Sequence, residues 1–124
     1  MKTIIAGCRD YHDYDHVRSK IDHFRQTNQV TEIVSGNSSG VDVIGERYAR
    51  ENDIPLTLFP ADWIKHGRSA GPIRNKQMAD YADQLLAVWD GKSKGTKNMI
   101  ETMNKLKKPV FIIWIGEPFV ATWV

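Results

Sequence analysis

The chain contains only one cysteine, Cys8, among its 124 residues. No disulfide can therefore form within the chain, and a zinc site built from several cysteines is excluded. A lone thiol suits a reducing compartment, so we expect the protein in the cytoplasm. His66 has no partner at metal-ligand spacing, and we expect the other three histidines at surface positions of the first helix region. No Ser-His-Asp or Cys-His arrangement is apparent. We expect no metal site and no cofactor.

Long apolar runs are also missing. No stretch approaches the ~20 apolar residues that a membrane-spanning helix needs, and the apolar run near the N-terminus is too short for a signal peptide. Hydrophobic residues make up 41% of the chain and charged residues 26%, which is typical of a globular protein that does not bind membranes. The length fits one domain over residues 1–124 with one hydrophobic core.

Positive charges only slightly outnumber negative charges. The formal net charge is +2 and the isoelectric point is about 8.7. A dedicated duplex-DNA binder would show a concentrated basic surface, and a single-strand binder would interleave exposed aromatic residues with Lys and Arg. The composition argues against both classes of nucleic-acid partner and leaves room for a small anionic ligand.

Five apolar, strand-like runs alternate with helical patterns along the chain. The runs cover residues 3–7, 31–36, 54–60, 84–89 and 109–114. Apolar residues at helical spacing between them predict four helices: one after a possible N-cap at Asp13, one over 41–52, a short one over 72–81 and one around 99–106. This alternation predicts an α/β fold, a Rossmann-like doubly wound parallel sheet with helices on both faces and strand order 3-2-1-4-5.

Four loops should meet beyond the carboxyl ends of the strands. Ligands bind open α/β sheets there, at the point where strand order reverses, which in the predicted order lies between strands 1 and 4. The loops span residues 7–11, 36–42, 61–74 and 90–96, and they are the most glycine- and serine-rich parts of the chain. This coincidence predicts a ligand site.

The loop over 36–42, "GNSSGVD", ends a strand and leads into a helix. Free N–H groups at a helix start favour anions, glycines let a ligand approach closely, and hydroxyls donate hydrogen bonds. We therefore consider Gly36, Ser38, Ser39 and Gly40 as ligand-binding candidates. A tight turn with serine caps explains the same residues equally well.

The loop "DGKSKGT" over 90–96 repeats the arrangement. Gly95 gives the loop freedom, and Thr96 is placed to open a helix, where its hydroxyl either caps the helix or donates to a phosphate. Its lysines and Lys97 add positive charge, although we expect at least two of the three to be solvated.

Two arginines stand out in the other loops. Arg9 follows the first strand and is a ligand-binding candidate, whereas Asp10 either contacts a ligand, caps a helix or pairs with a neighbour. Arg74 falls in the first turn of the predicted short helix, where the helix dipole disfavours a cation, so it needs an anionic partner: a phosphate or an acidic neighbour. Trp63 can stack on a base, but we favour a packing role. We expect the segment over 61–74 to arch over a phosphorylated ligand.

The motifs "IIAGCRDY", "SGNSSGVD", "FPADW", "AGPIRN" followed by Met78, and the final "GT" of 95–96 resemble the YspA-type, cpYpsA-related branch of the SLOG superfamily. The resemblance implies a domain that senses, sequesters or processes a nucleotide or nucleotide-derived, AMP- or ADP-ribose-like ligand, often in phage or conflict-system settings. Carried over by motif, it implies ligand binding by Gly7, Arg9, Gly36, Gly40, Asp42, Arg74, Asn75, Gly95 and Thr96. Asp42 then either accepts a ribose hydroxyl or fixes its loop.

The chain is also distantly similar to the lonely-guy phosphoribohydrolases, with Arg74 and Met78 matching one motif and the glycine–threonine pair another. The glutamate that the resemblance implies for catalysis is missing, because Lys97, Asn98 and Met99 follow Thr96 and Glu101 lies too far along the helix. Loss of general acid–base help typically lowers rates by ~10²–10⁴.

The missing glutamate favours binding over hydrolysis. The alternative is an N-glycosidic phosphoribohydrolase acting on nucleoside monophosphates, with Asp10, Asp42 or Asp90 in place of the glutamate. The resemblance and the hydrophobic tail over 116–124 also lead us to expect a homodimer or higher homo-oligomer. The tail would dock on the sheet edge or on a second subunit.

Overall fold

The computed structural model of the chain describes residues 1–115. Its centre is a five-stranded parallel sheet of order β3-β2-β1-β4-β5, which confirms the predicted order. The strands are β1 (Lys2–Gly7), β2 (Glu32–Ser35), β3 (Leu56–Leu58), β4 (Gln84–Trp89) and β5 (Val110–Trp114). Strand order reverses between β1 and β4, as expected.

Helices cover both faces of the sheet. They are α1 (Tyr14–Arg25), α2 (Val41–Glu51), α3 (Trp63–His66), α4 (Ala70–Tyr81) and α5 (Lys94–Lys105), with a 3₁₀ turn over Gly67–Ser69. Ile5 packs in the core layer with α1 and α2, whereas its neighbour Ile4 packs with α4 and α5. Both are fully buried, since successive side chains of a strand point to opposite faces. The doubly wound α/β class is thereby confirmed.

Asp13 caps α1, as the sequence predicts. Its side chain accepts a hydrogen bond of 3.1 Å from the main-chain amide of His16. The cap satisfies one of the amides that a helix start leaves without a partner. Asp10 therefore does not cap this helix, which settles one of its three possible roles.

Two predicted boundaries on either side of the arching segment are wrong. β3 covers only Leu56–Leu58 instead of 54–60. Pro55 and Pro60 lack the N–H that a strand ladder uses, so pairing ends near them. The helix that was expected from about residue 72 begins at Ala70, and a short α3 and the 3₁₀ turn precede it. Four helices were predicted, and residues 1–115 contain five α-helices.

The fourth predicted helix also begins earlier than expected. α5 starts at Lys94, and its N-cap is Ser93, whose hydroxyl accepts from the amide of Thr96. Thr96 lies inside the first turn and does not cap the helix. Ser93 is better placed because it immediately precedes the first helical residue, so its hydroxyl can accept from the amide of the third helical residue.

Within residues 1–115, none of the helices is both long and apolar enough to cross a membrane. The prediction that the hydrophobic tail docks on the sheet edge or on a second subunit concerns residues 116–124, which lie outside the described residues.

Candidate functional site

A cleft of about 680 Å³ lies at the carboxyl ends of β1 and β4. It receives residues from all four loops that the sequence analysis singled out. The predicted site residues that line it are Gly7, Arg9, Ser38, Asp42, Arg74, Asn75, Gly95 and Thr96, together with Asp10 and Asp90. Residues that the sequence analysis did not assign to the site also line it, among them Cys8, Trp63, Met78, Ser93 and Asn98.

Arg74 forms the inner wall of the cleft and is only 7% exposed. Its Nη1 donates to the carbonyl oxygens of Gly36 and, at 3.4 Å, Phe59. Its Nε donates to Asn75 Oδ1 at 3.0 Å. Among the hydrogen bonds of residues 1–115 none uses Nη2. The guanidinium is therefore held in place on one side and keeps two N–H donors for a ligand.

The reason given for Arg74 from the sequence is wrong. Arg74 is the fifth residue of α4, so it lies beyond the first turn, where the dipole of the helix start acts. Its electrostatic partner within the protein is Asp42, whose charge raises the pKa of Arg74 while burial lowers it more strongly. Of the two partners that the sequence allowed for Arg74, a phosphate or an acidic neighbour, the acidic neighbour is present.

Asp42 lies beside Arg74 and is 5% exposed. Burial raises its pKa from 3.8 to about 6, and Glu46 adds to that shift. The amide of Ser38, which donates to Asp42 Oδ2 at 3.2 Å, and the charges of Arg74 and Arg9 oppose it. The contact with Ser38 thus helps to fix the loop, and burial brings the pKa of Asp42 closer to neutrality than that of an ordinary carboxyl.

Glu46, which was not predicted from the sequence, supports the loop between β2 and α2 through hydrogen bonds. It is 5% exposed and accepts from Ser35 Oγ at 2.8 Å and from Asn37 Nδ2 at 3.2 Å. Asn37 has a positive φ of 59°, which the side-chain contact helps to hold. A signal was available, because Glu46 follows Asp42 by one helical turn and therefore shares its helix face.

Three predicted ligand-binding residues do not line the cleft: Gly36, Ser39 and Gly40. A Cβ on Gly36 would lie 2.8 Å from Arg74 Cζ and 3.0 Å from Asp42 Oδ2, so glycine lets the guanidinium approach. Gly40 has a φ of 74° and packs against the main chain of Cys8 and Arg9. Ser39 Oγ donates to the carbonyl of Arg9 at 3.2 Å. These residues shape the loops behind the cleft.

The start of α2 differs from the free anion site that the sequence predicted. The amide of Val41 donates to the carbonyl of Cys8 at 3.1 Å. The carboxyl of Asp42 lies in the same first turn and carries the charge that this helix end favours. An anionic ligand at this helix start would be repelled by that carboxylate. The positive end of α2 therefore interacts with groups of the protein and not with a ligand.

The start of α5 is the open one. Gly95 is exposed, and a Cβ built on it would meet nothing within 4 Å. Within the described residues, the amides of Lys94 and Gly95 donate to no other residue. Lys92 and Lys94 line the cleft beside them, whereas Lys97 does not. This helix start combines unpaired amides with positive side chains.

Asp90 shapes the loop that leads into α5. Its Oδ1 accepts from the amides of Lys92, at 2.8 Å, and Ser93, at 2.9 Å. These hydrogen bonds lower the pKa of Asp90, so it is ionised at neutral pH. The hydroxyl of Thr96 lies 3.1 Å from that of Ser93 and faces the same part of the cleft.

Asn75 joins α4 to α5 across the floor of the site. Its Nδ2 donates to Asn98 Oδ1 at 2.9 Å and to the carbonyl of Gly95 at 3.3 Å. Its Oδ1 accepts from Arg74. The position of the guanidinium is therefore linked to the position of the open helix start.

Trp63 and Arg9 form the rim. The guanidinium of Arg9 lies 5.6 Å from the centroid of the Trp63 ring, and the indole is 48% exposed. The packing role that the sequence favoured for Trp63 is wrong, because the segment over 61–74 places this residue at the cleft and not in the core.

Several groups near the cleft are poor candidates for covalent or metal chemistry. Burial raises the pKa of the Cys8 thiol to about 11, which keeps it protonated and a weak nucleophile. Within residues 1–115, no three His, Cys, Asp or Glu side chains converge as metal ligands would. Glu101 is exposed and does not line the cleft.

Comparison with known proteins gives two matches. The model of the family described as the YspA, cpYpsA-related SLOG family matches residues 1–66. The Gene 61 protein of Mycobacterium phage D29 is 32% identical over 116 residues, an alignment that covers 88% of this chain and 93% of that protein. No solved structure matches the chain significantly.

Proposed function

Because the chain belongs to the YspA, cpYpsA-related SLOG family, we propose that it binds a nucleotide or nucleotide-derived ligand in the cleft at the ends of β1 and β4. The ligand is of the AMP or ADP-ribose kind, and the protein acts as a sensor or sequestering module. Its relative in a mycobacteriophage supports a role in phage biology or conflict between phage and host.

The single observation that carries this proposal is the state of Arg74. A guanidinium that is 7% exposed has lost most of its hydration, and among residues 1–115 its Nη2 group donates to no acceptor, although Asp42 lies nearby. Nε and Nη1 already donate to groups of the protein, so Nη2 keeps the two N–H donors that are open to a phosphate oxygen. A hydrogen bond from a guanidinium to a phosphate is charge-assisted and therefore strong.

The start of α5 supplies the second half of a phosphate site. Its free amides and the positive end of its dipole favour an anion, and Lys92 and Lys94 add charge. Asn75 connects this helix start to Arg74. We infer that the two parts, which line one cleft, bind the same phosphate group.

The size of the cleft agrees with a nucleotide. Small-molecule sites commonly measure about 300–1,000 Å³, and this cleft measures about 680 Å³. Gly7 lines the cleft, and a Cβ there would lie 2.9 Å from a methyl of Val41, so this glycine lets β1 pack closely against β4 and α2 beneath the cleft.

Calorimetric titration of the protein with AMP and with adenosine tests the proposal. We expect AMP to bind and adenosine to bind at least ~10-fold more weakly, since charge-assisted hydrogen bonds contribute about 1.5–3 kcal/mol each. Equal affinities would contradict a phosphate site. Mass spectrometry of small molecules that co-purify with the protein would then identify the natural ligand.

One observation favours a second function, N-glycosidic hydrolysis of nucleoside monophosphates. Asp42 lies in the cleft with a pKa of about 6, a value suited to proton transfer at neutral pH. Chromatography of free base released from AMP tests it, with Asp42→Asn and Asp90→Asn as variants. We expect little or no release. Robust turnover that either variant abolishes would establish hydrolysis.

A further inference from the structure

We propose that Trp63 and Arg9 form a subsite for the aromatic base of the ligand, at the exposed rim of the cleft whose inner wall holds the phosphate site of Arg74 and α5. This inference rests on the proposed function and adds a direction to it: phosphate inside, base at the rim. The ligand class becomes a phosphorylated compound with a planar heteroaromatic group.

The position of Trp63 makes its ring available. Trp63 is the first residue of α3, and the side chain of Asp62 caps this helix by accepting from the amide of Lys65 at 3.0 Å. On the inner side, a Cβ at Gly71 would lie 3.6 Å from the indole, which is ordinary contact. The ring therefore lies beside α4, while about half of the surface of Trp63 stays exposed.

The guanidinium of Arg9 supplies the second planar group of the proposed stack. Its guanidinium lies 5.6 Å from the ring centroid, and it takes part in none of the ion pairs within residues 1–115. Stacked planar groups are separated by about 3.5 Å, so a base between Arg9 and Trp63 requires about 7 Å. An exposed arginine side chain can move by the difference of about 1.5 Å with little loss, because no ion pair holds it.

The charges of the cleft give the ligand its orientation. The unpaired donors of Arg74 and of the start of α5 lie on α4 and α5, whereas the stacking pair lies on the first loop and on α3. A nucleotide whose phosphate occupies the former presents its base to the latter. Every base has a π face, so stacking selects for the presence of a base more than for its identity.

Calorimetry with AMP and with ribose 5-phosphate, which lacks the base, tests the subsite. In Trp63→Ala we expect the affinity for AMP to fall about 5- to 150-fold, the range for loss of one base–aromatic stack. The affinity for ribose 5-phosphate should stay within about 2-fold. Trp63→Phe, which retains an aromatic face, should lose less.

Ile64→Ala is the matched control, because Ile64 is the next residue, is fully exposed and does not line the cleft. It should leave both affinities unchanged. Circular dichroism checks that each variant is folded. As a second readout, AMP should quench tryptophan fluorescence in the wild type and much less in Trp63→Phe.

The outcomes separate this inference from the function on which it rests. If the wild type binds neither AMP nor ribose 5-phosphate, the phosphate site fails and the subsite fails with it. If both bind and Trp63→Ala weakens them equally, or weakens neither, the base does not stack on Trp63 and only the subsite is overturned.

Discussion

The Nη1 group of Arg74 donates a hydrogen bond to the carbonyl oxygen of Gly36, 38 positions earlier in the chain. This contact joins the loop after β2 to the helix that follows the arch. It exists only because residue 36 has no side chain, since a Cβ there would lie 2.5 Å from Nη1. The loop and the arginine are therefore matched to each other.

Gly36→Ala should displace the guanidinium. Insertion of a methyl group into a filled space typically costs about 1–3 kcal/mol. Here the group that must move is the guanidinium that we propose to bind the phosphate. We expect lower thermal stability and a loss of AMP affinity of more than ~10-fold. Gly71→Ala is the control for stability, because its Cβ would make ordinary contact at 3.6 Å. Wild-type affinity in Gly36→Ala would contradict the matching of loop and arginine.

Arg74→Ala should abolish detectable binding of AMP or ADP-ribose in calorimetry. The variant should still fold, but with a lower free energy of unfolding, because the buried carbonyl of Gly36 loses a donor, at about 1–3 kcal/mol, and the partly buried carbonyl of Phe59 loses a weaker one. Lys76→Ala is the control on the same helix. Its exposed pair with Asp80 contributes little, and it does not line the cleft.

Glu46→Ala should destabilise the protein by about 1–3 kcal/mol, because the buried hydroxyl of Ser35 loses its acceptor. Loosening of the loop over 35–38 should also weaken AMP binding, although Glu46 does not line the cleft. Glu46→Gln keeps an acceptor of the same size and should restore most of both quantities. Chemical denaturation and calorimetry measure the two effects, and an unchanged affinity in Glu46→Ala would show that the loop does not need this support.

Asp42 should make stability depend on pH. Its pKa is raised to about 6 in the folded protein from an ordinary 3.8, so its protonation favours folding below pH 4, and this stabilisation is lost as pH rises through 6. Two units correspond to about 3 kcal/mol. Relative to Asp42→Asn, the free energy of unfolding of the wild type should fall by up to that amount between pH 4 and pH 7. A constant difference would show that Asp42 titrates normally.

Strand order and the place of the cleft followed from the alternation of elements, because parallel crossovers are right-handed and leave few topologies. Asp13 was likewise readable as a cap, since its role depends on residues three positions away. What failed depended on contacts between distant segments. The carbonyl of Cys8 that occupies the start of α2 and the fold of the arch that exposes Trp63 have no local signature.

Glycine illustrates the same limit. The sequence showed where Gly36, Gly40 and Gly95 lie but not what each meets. Only the structure shows that Gly36 faces a guanidinium, Gly40 faces another loop and Gly95 faces open space. Of the three, only Gly95 lines the cleft, so a glycine-rich loop predicted the neighbourhood of the site but not its lining.

A crystal structure of the protein grown with AMP tests the central claim most directly. It should show the phosphate within about 2.7–2.9 Å of Arg74 Nη2 and within hydrogen-bonding reach of the main-chain amides of Lys94 and Gly95. A cleft that stays empty under saturating AMP, or a phosphate bound elsewhere while Arg74 points into solvent, would contradict it.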